Sequence, residues 1–147
     1  MKLKSGIFRV ERRQKTPAVG LLLVAQPFFT DEYFHRSVIC IIENDDVHGT
    51  MGLVLNNCSS LKLNELPEIP LFFGGPVSSD QLYYVHVWES IPGAIEIVPG
   101  LYIGGDFEMV KGYLKQTGDL DSIRFFIGYS GWSPCQLEKE IEDGVWA

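Results

Sequence analysis

The residues with the clearest capacity for chemistry lie near the end of the chain, in the stretch GYSGWSP. Gly128 and Ser130 fit the G-x-S-x-G pattern, which places a nucleophilic serine on a sharp turn between a strand and a helix. Trp132 occupies the last glycine position, and its bulk opposes that tight turn. We therefore favour a structural turn anchored by Trp132 over esterase-like chemistry. Because a helix is predicted to follow, the amides of Ser130, Gly131 and Trp132 would also suit an anion.

A second glycine-containing stretch, FFGGPVSSD, separates two apolar runs. Gly74 and Gly75 can adopt positive φ angles, and their amides would then converge on a small anionic ligand. The alternative is a sharp crossover between two strands, stiffened by Pro76. No lysine stands at the spacing of a phosphate-binding P-loop. The ligand hypothesis requires this stretch and the Ser130–Trp132 stretch to meet in space with free amide donors.

Two basic side chains would add polar groups to such a site. His86 lies in an apolar strand pattern, where it would serve as a base or ligand or, more commonly, be hydrogen-bonded within a half-buried sheet. Arg36 stands where a polar loop enters an apolar strand. Its guanidinium would hold a ligand carboxylate or, in the favoured interpretation, an internal one such as Asp31 or Glu43.

Metal and cysteine chemistry have little support in the sequence. His48 follows Asp45 and Asp46, but an acidic turn between strands needs no metal, and the three histidines lack ligand spacing. We predict no metal and no cofactor.

Cys135 stands near the start of a predicted helix, where a thiol can be reactive. The odd number of cysteines, without C-x-x-C spacing, argues against a disulfide framework and favours a reducing cytoplasm.

Length and charge limit the classes of function. The chain has 147 residues, 46% of them apolar, which suits one globular domain. No apolar run is long enough to span a bilayer, so we expect a cytoplasmic protein without membrane contact. Residues 1–15 carry a net charge of +5 and the remainder −12. We predict a flexible basic arm at 1–15, a domain at 16–147, and no direct nucleic-acid binding by this acidic domain.

Apolar runs of strand length recur from Gly20 onward, separated by turn signals. The polar linker at 44–50 is typical of an antiparallel hairpin. Because strands and helices do not alternate regularly, we expect an α+β fold with a curved, mostly antiparallel sheet. The predicted strands cover residues 20–25, 37–43, 51–56, 70–73, 81–88, 94–98 and 123–129.

Two segments have helical signals. The first follows Asp106 as N-cap and stops at Gly118. The second follows Ser133, which would form a capping box with Gln136. Its inward face is apolar, and its three glutamates, at 138, 140 and 142, are predicted to face water.

Taken together, four segments resemble the YqgE/AlgH family of bacterial proteins in their order and spacing. They are residues 20–44, 49–56, 72–86 and 125–146. The resemblance implies a cytosolic protein with a bifurcated sheet curled into a pseudo-barrel and flanked by two main helices. It implies no established activity, because the "transcriptional regulator" label of some members describes an effect on expression.

The chain departs from the family pattern at three places. Relatives commonly have Ala at the position of Ser130 and Gly at the position of Cys135. They also continue for some tens of residues past Ala147. If this sequence is truncated and lacks a C-terminal element that covers part of the sheet, we expect the exposed sheet edge to pair with a second copy.

The leading hypothesis is a non-catalytic binding or regulatory module that takes a small anionic ligand or a protein partner. One alternative is a hydrolase or transferase using the same cleft. Another is a transcriptional regulator that acts indirectly or by DNA contact. The candidate site comprises Arg36, Gly74, Gly75, Pro76, His86, Ser130, Gly131 and Trp132.

Overall fold

A computed structural model describes residues 17–26, 34 and 36–146. The predicted basic arm at 1–15 lies outside these ranges. The described chain forms eight strands and two α-helices, which confirms the predicted α+β class. The strands are β1 (Leu22–Val24), β2 (Val38–Asp45), β3 (Gly49–Val54), β4 (Leu71–Phe73), β5 (Val77–His86), β6 (Ile95–Val98), β7 (Leu101–Ile103) and β8 (Ile123–Trp132); the helices are α1 (Phe107–Thr117) and α2 (Gln136–Glu142).

Strand β8 is the centre of the sheet and the point where it divides. The strand order is β1-β2-β3-β8-β5-β7-β6, with β4 paired to β8 outside that path. On one side, β8 pairs with β5 in antiparallel register from Val77 to His86. On the other, its first half pairs with β4 in parallel and its last residues pair with β3. The predicted bifurcated sheet is therefore confirmed, with β4 as its parallel branch.

The sheet also curls until its two ends approach each other. Gly20, just before β1, lies against Val98 of β6 so closely that a Cβ at position 20 would overlap the Val98 side chain. Because β1 and β6 are the first and last strands of the order, this contact makes the sheet a half-barrel with a concave inner face.

Helix α1 begins and ends where the sequence predicts. The Asp106 carboxylate accepts the backbone N–H groups of Glu108 and Met109 at 3.0 and 3.3 Å. Gly118 ends the helix with a left-handed φ of 66°. Neither this helix nor any other in the described ranges is long and apolar enough to cross a membrane.

Helix α2 begins later than predicted. Ser133 donates its N–H to the Gln136 side chain at 2.9 Å, which is one half of the expected capping box. No side chain caps the helix, and Cys135 precedes it with a left-handed φ of 70°. Such a φ favours glycine, which gives a physical reason for the Gly that the family resemblance implies at this position.

Two apolar clusters lie under the sheet. The first joins β1, β2 and β3 to α2 through residues that include Leu23, Ile39 and Leu137. The second packs α1 against β4 and β8 through Val110, Leu114 and Phe125, among others. Each cluster packs one branch of the sheet against a helix on the outer face. Among the described residues, no helix packs on the concave inner face, which is left open.

Candidate functional site

The two glycine-containing stretches do meet, at the point where the chain passes from β4 to β5 across β8. Gly75 packs so tightly on β8 that a Cβ there would overlap the backbone of Tyr129 and Ser130. The Ser130 hydroxyl donates to the Gly74 carbonyl at 3.1 Å. The Gly74 N–H donates to the Ile127 carbonyl at 2.8 Å. This junction is the strand crossover that the sequence offered as the alternative to ligand binding.

The polar groups of the junction are largely used within the fold. The expectation that the Gly74 amide is free is wrong, since its N–H donates a hydrogen bond to the Ile127 carbonyl. The predicted turn at Ser130, Gly131 and Trp132 is also wrong, because these residues extend β8 and pair with β3. Pairing with a neighbouring strand outweighed the local glycine signal. Anion binding by the other amides, and by the segment at Pro76, stays a prediction.

His86 lies far from this junction. It pairs with Ile123 at the opposite end of β8. Because Ile123 precedes Ser130 by seven residues, His86 lies about 23 Å from Ser130 along the strand. His86 is fully buried. Its Nε2 is 2.8 Å from the Gly104 carbonyl, and its Nδ1 accepts the Trp88 N–H at 3.2 Å. These contacts match the hydrogen-bonded sheet histidine that the sequence offered as the commoner case.

Arg36 lies in the turn before β2 and has a left-handed φ of 61°. Its carbonyl accepts the Asn56 side-chain amide at 3.0 Å. Glu43 lies at the far end of β2 and forms no ion pair with Arg36, so that expected partner is wrong. Asp31 lies outside the described residues.

Gly131 and Trp132 line a cleft of about 430 Å³ beside the β2–β3 hairpin. His48 also lines this cleft, and its Nδ1 lies 3.0 Å from the Asp45 carboxylate. That hydrogen bond, with the N–H groups of Val47 and His48, lowers the pKa of Asp45 to about 2. The same bond raises the pKa of His48 above its ordinary value. The pair links two residues of the hairpin loop.

We expect Asp45→Asn to lower the pKa of His48 toward 6.5 in an NMR pH titration of its ring protons. Because the folded pKa of His48 is raised, the contact stabilises the loop below about pH 6.5 and is lost as pH rises through the raised value. Because the pKa of Asp45 is lowered, its share is present above about pH 3.8 and is lost as pH falls toward 2. The control, Asp46→Asn, should change the His48 pKa little; an unchanged pKa in Asp45→Asn would contradict the assignment.

The concave face of the sheet holds a larger cavity that the sequence did not indicate. Its volume is about 610 Å³, within the range of small-molecule sites. A second, strongly apolar cavity of about 250 Å³ adjoins it toward β1 and β6. Leu55, Val85 and Leu101 line both cavities. A continuous apolar wall therefore lines the inside of the half-barrel.

Arg124 places a cation on this wall. Its Nη1 donates to the Leu55 carbonyl at 2.9 Å, and its guanidinium lies 4.5 Å from the Phe72 ring centre. Val85 is its direct partner across β5 and β8. In the part of the chain that the structure describes, no carboxylate forms an ion pair with Arg124. The sequence signal was weak, because a single arginine at an alternating strand position is typical of an exposed face.

The fold and this site define a class: an α+β protein with a bifurcated, curled sheet and an apolar concave cavity. A family model described as AlgH-like matches residues 22–147, and the chain belongs to that family. The family is the one that the four sequence segments resemble, so that prediction is confirmed.

Relatives in sequence and structure agree with this assignment. A UPF0301 protein of Bacteroides thetaiotaomicron is 39% identical over 99% of this chain and 78% of its own length. One from Parabacteroides distasonis is 41% identical over 97% and 76%. A crystal structure from Corynebacterium diphtheriae has a TM-score of 0.76 at 28% identity, covering 93% of this chain and 76% of that one. The solution structure of AlgH from Pseudomonas aeruginosa has a TM-score of 0.71 at 27% identity, over 94% and 79%.

Proposed function

We propose that this protein binds a small, largely apolar ligand in the concave cavity of its half-barrel, without catalysis. The observation that carries the proposal is the pair of adjoining cavities, which share an apolar wall and have one guanidinium, that of Arg124, at one end. A ligand-binding protein is also the leading hypothesis from the sequence. The site proposed here differs, because it lies on the concave face and away from the junction of the two glycine-containing stretches.

The exposure of apolar side chains supports this location. Four large apolar residues, Leu22, Val87, Val98 and Leu120, have 37 to 52% of their surface accessible. All four line the two cavities. A contiguous apolar patch on a protein surface generally marks a binding site. Burial of this wall by a ligand would supply about 25 cal/mol for each Å² removed from water.

The two alternative functions have less support. A hydrolase at the glycine junction needs a base beside Ser130, but the partner of its hydroxyl is the Gly74 carbonyl. His86 uses both ring nitrogens in contacts with the backbone. DNA contact is opposed by the net charge of −12 outside residues 1–15.

We expect the neutral dye Nile red to bind saturably at one site, measured by its fluorescence during titration with protein. The variant Val85→Phe, which fills the space shared by both cavities, should weaken dye binding by about tenfold or more, equivalent to ~1.4 kcal/mol. The matched control is Val47→Phe, because Val47 is 75% exposed in the hairpin loop, outside the two cavities. Thermal unfolding of both variants would verify that they fold.

Equal dye affinity in the two phenylalanine variants would contradict the proposed location. Absence of saturable binding to the wild-type protein would contradict a ligand-binding cavity altogether. Each result is independent of which natural ligand the protein takes.

A further inference from the structure

We infer that the ligand is a monocarboxylate with an apolar tail, whose carboxylate is held by Arg124. The inference rests on the proposed function, since it assumes that the concave cavity is the binding site. It adds the chemical class of the ligand and its orientation. The carboxylate would lie in the larger cavity, and the tail would extend past Val85 toward the smaller one.

The guanidinium of Arg124 is positioned by two contacts that leave its binding edge open. The Leu55 carbonyl accepts a hydrogen bond from Nη1 at 2.9 Å, and the Phe72 ring centre lies 4.5 Å from the guanidinium. The edge formed by Nε and Nη2 has no hydrogen-bond or ion-pair partner within the described ranges. This edge carries two parallel N–H donors, which match the two oxygens of a carboxylate. Prior fixation of the side chain reduces the entropy lost on binding.

The apolar tail has a separate place. The smaller cavity is lined by aliphatic side chains with Cys40 among them, including Leu22, Ile42 and Ile97. Burial raises the pKa of the Cys40 thiol, so the group stays neutral and adds no charge to this wall. The cavity therefore favours a hydrocarbon over a polar chain.

Charges in the lining of the larger cavity select against more highly charged ligands. Glu68 and Asp121 line the same cavity as Arg124, so one cation stands among two acids. Both acids repel any anion, and they repel a phosphate with a charge near −2 about twice as strongly as a carboxylate with a charge of −1. This balance favours a single negative charge.

A structural role for Arg124 makes a different prediction. If Arg124 only fastened the end of β3 to β8 through Leu55, its replacement would change stability but not the choice among ligand head groups. Ligands that share a tail and differ in head group distinguish the two cases.

The test is isothermal titration calorimetry at pH 7.4 with decanoate, decanol and decyl phosphate. We expect decanoate to bind about tenfold tighter than decanol and tighter than decyl phosphate. Arg124→Met should abolish the preference for decanoate, so that decanoate and decanol bind this variant with similar affinity. Arg124→Lys should retain only part of the preference, because an ammonium lacks the paired donors. Thermal unfolding of each variant would report whether it folds.

Three results would overturn the inference: equal affinity for decanoate and decanol, a preference that survives in Arg124→Met, or tighter binding of decyl phosphate. With any of these results, continued binding of Nile red and decanol would leave the proposed function standing. Failure of Nile red, decanol and decanoate alike would overturn the proposed function and the inference with it.

Discussion

Replacing Gly75 with alanine should destabilise the protein by more than about 3 kcal/mol, or prevent folding. A Cβ at this position would overlap the backbone of Tyr129 and Ser130. This backbone cannot move aside cheaply, because β5 pairs with Tyr129 and β3 pairs with Ser130. The crossover from β4 to β5 would then have to separate from β8. Urea unfolding followed by circular dichroism measures the change.

The matched control is Gly112→Ala. Gly112 lies within α1, and a Cβ there would have no heavy atom within 4 Å. Alanine in a helix interior is favoured over glycine by about 0.5–1 kcal/mol, so this variant should be more stable than the wild type. A Gly75→Ala protein that unfolds at the wild-type urea concentration would refute the crossing as described.

Glu140→Ala should cost about 2–3 kcal/mol of unfolding free energy. One oxygen of this carboxylate accepts the indole N–H groups of Trp132 and Trp146 at 3.1 and 2.9 Å. Its other oxygen accepts the Gln136 side-chain amide at 3.0 Å. Both tryptophans are buried, so removal of the acceptor leaves buried donors without this bond.

Two further variants separate this role from a general effect on α2. Glu138→Ala removes an exposed glutamate of the same helix and should change stability by less than about 0.5 kcal/mol. Glu140→Gln keeps an acceptor oxygen and should cost less than Glu140→Ala. Urea unfolding of all three tests this order, and equal losses in Glu138→Ala and Glu140→Ala would contradict it.

Glu140 also illustrates a limit of sequence reasoning. Helical periodicity placed it on the water-facing side of α2, yet the structure shows it half-buried under two indoles. Periodicity reports which face of a helix is apolar. It does not report which residues of other elements will contact the helix. Here Trp132 of β8 and Trp146, after α2, both donate their indole N–H groups to the Glu140 carboxylate.

The sequence did not predict the concave cavity, and none of its eight candidate site residues lines either of the two cavities there. The meeting of the two glycine stretches was correctly expected, but its use as a crossover depended on strand partners far apart in the sequence. His86 and Arg36 do not join that junction. Arg124 was not singled out, because its place on the concave face depends on the curl of the sheet.

The sequence by itself determined the α+β class, the limits of α1 and the β2–β3 hairpin. These features follow from local preferences, such as the Asp106 cap, the Gly118 stop and short apolar runs between turns. Only the tertiary structure decided that β8 divides the sheet, that Gly74 and Gly75 cross it, and that Arg124 faces an apolar cavity. Each of these depends on pairing between residues distant in the chain, and local conformational preference carries no information about that pairing.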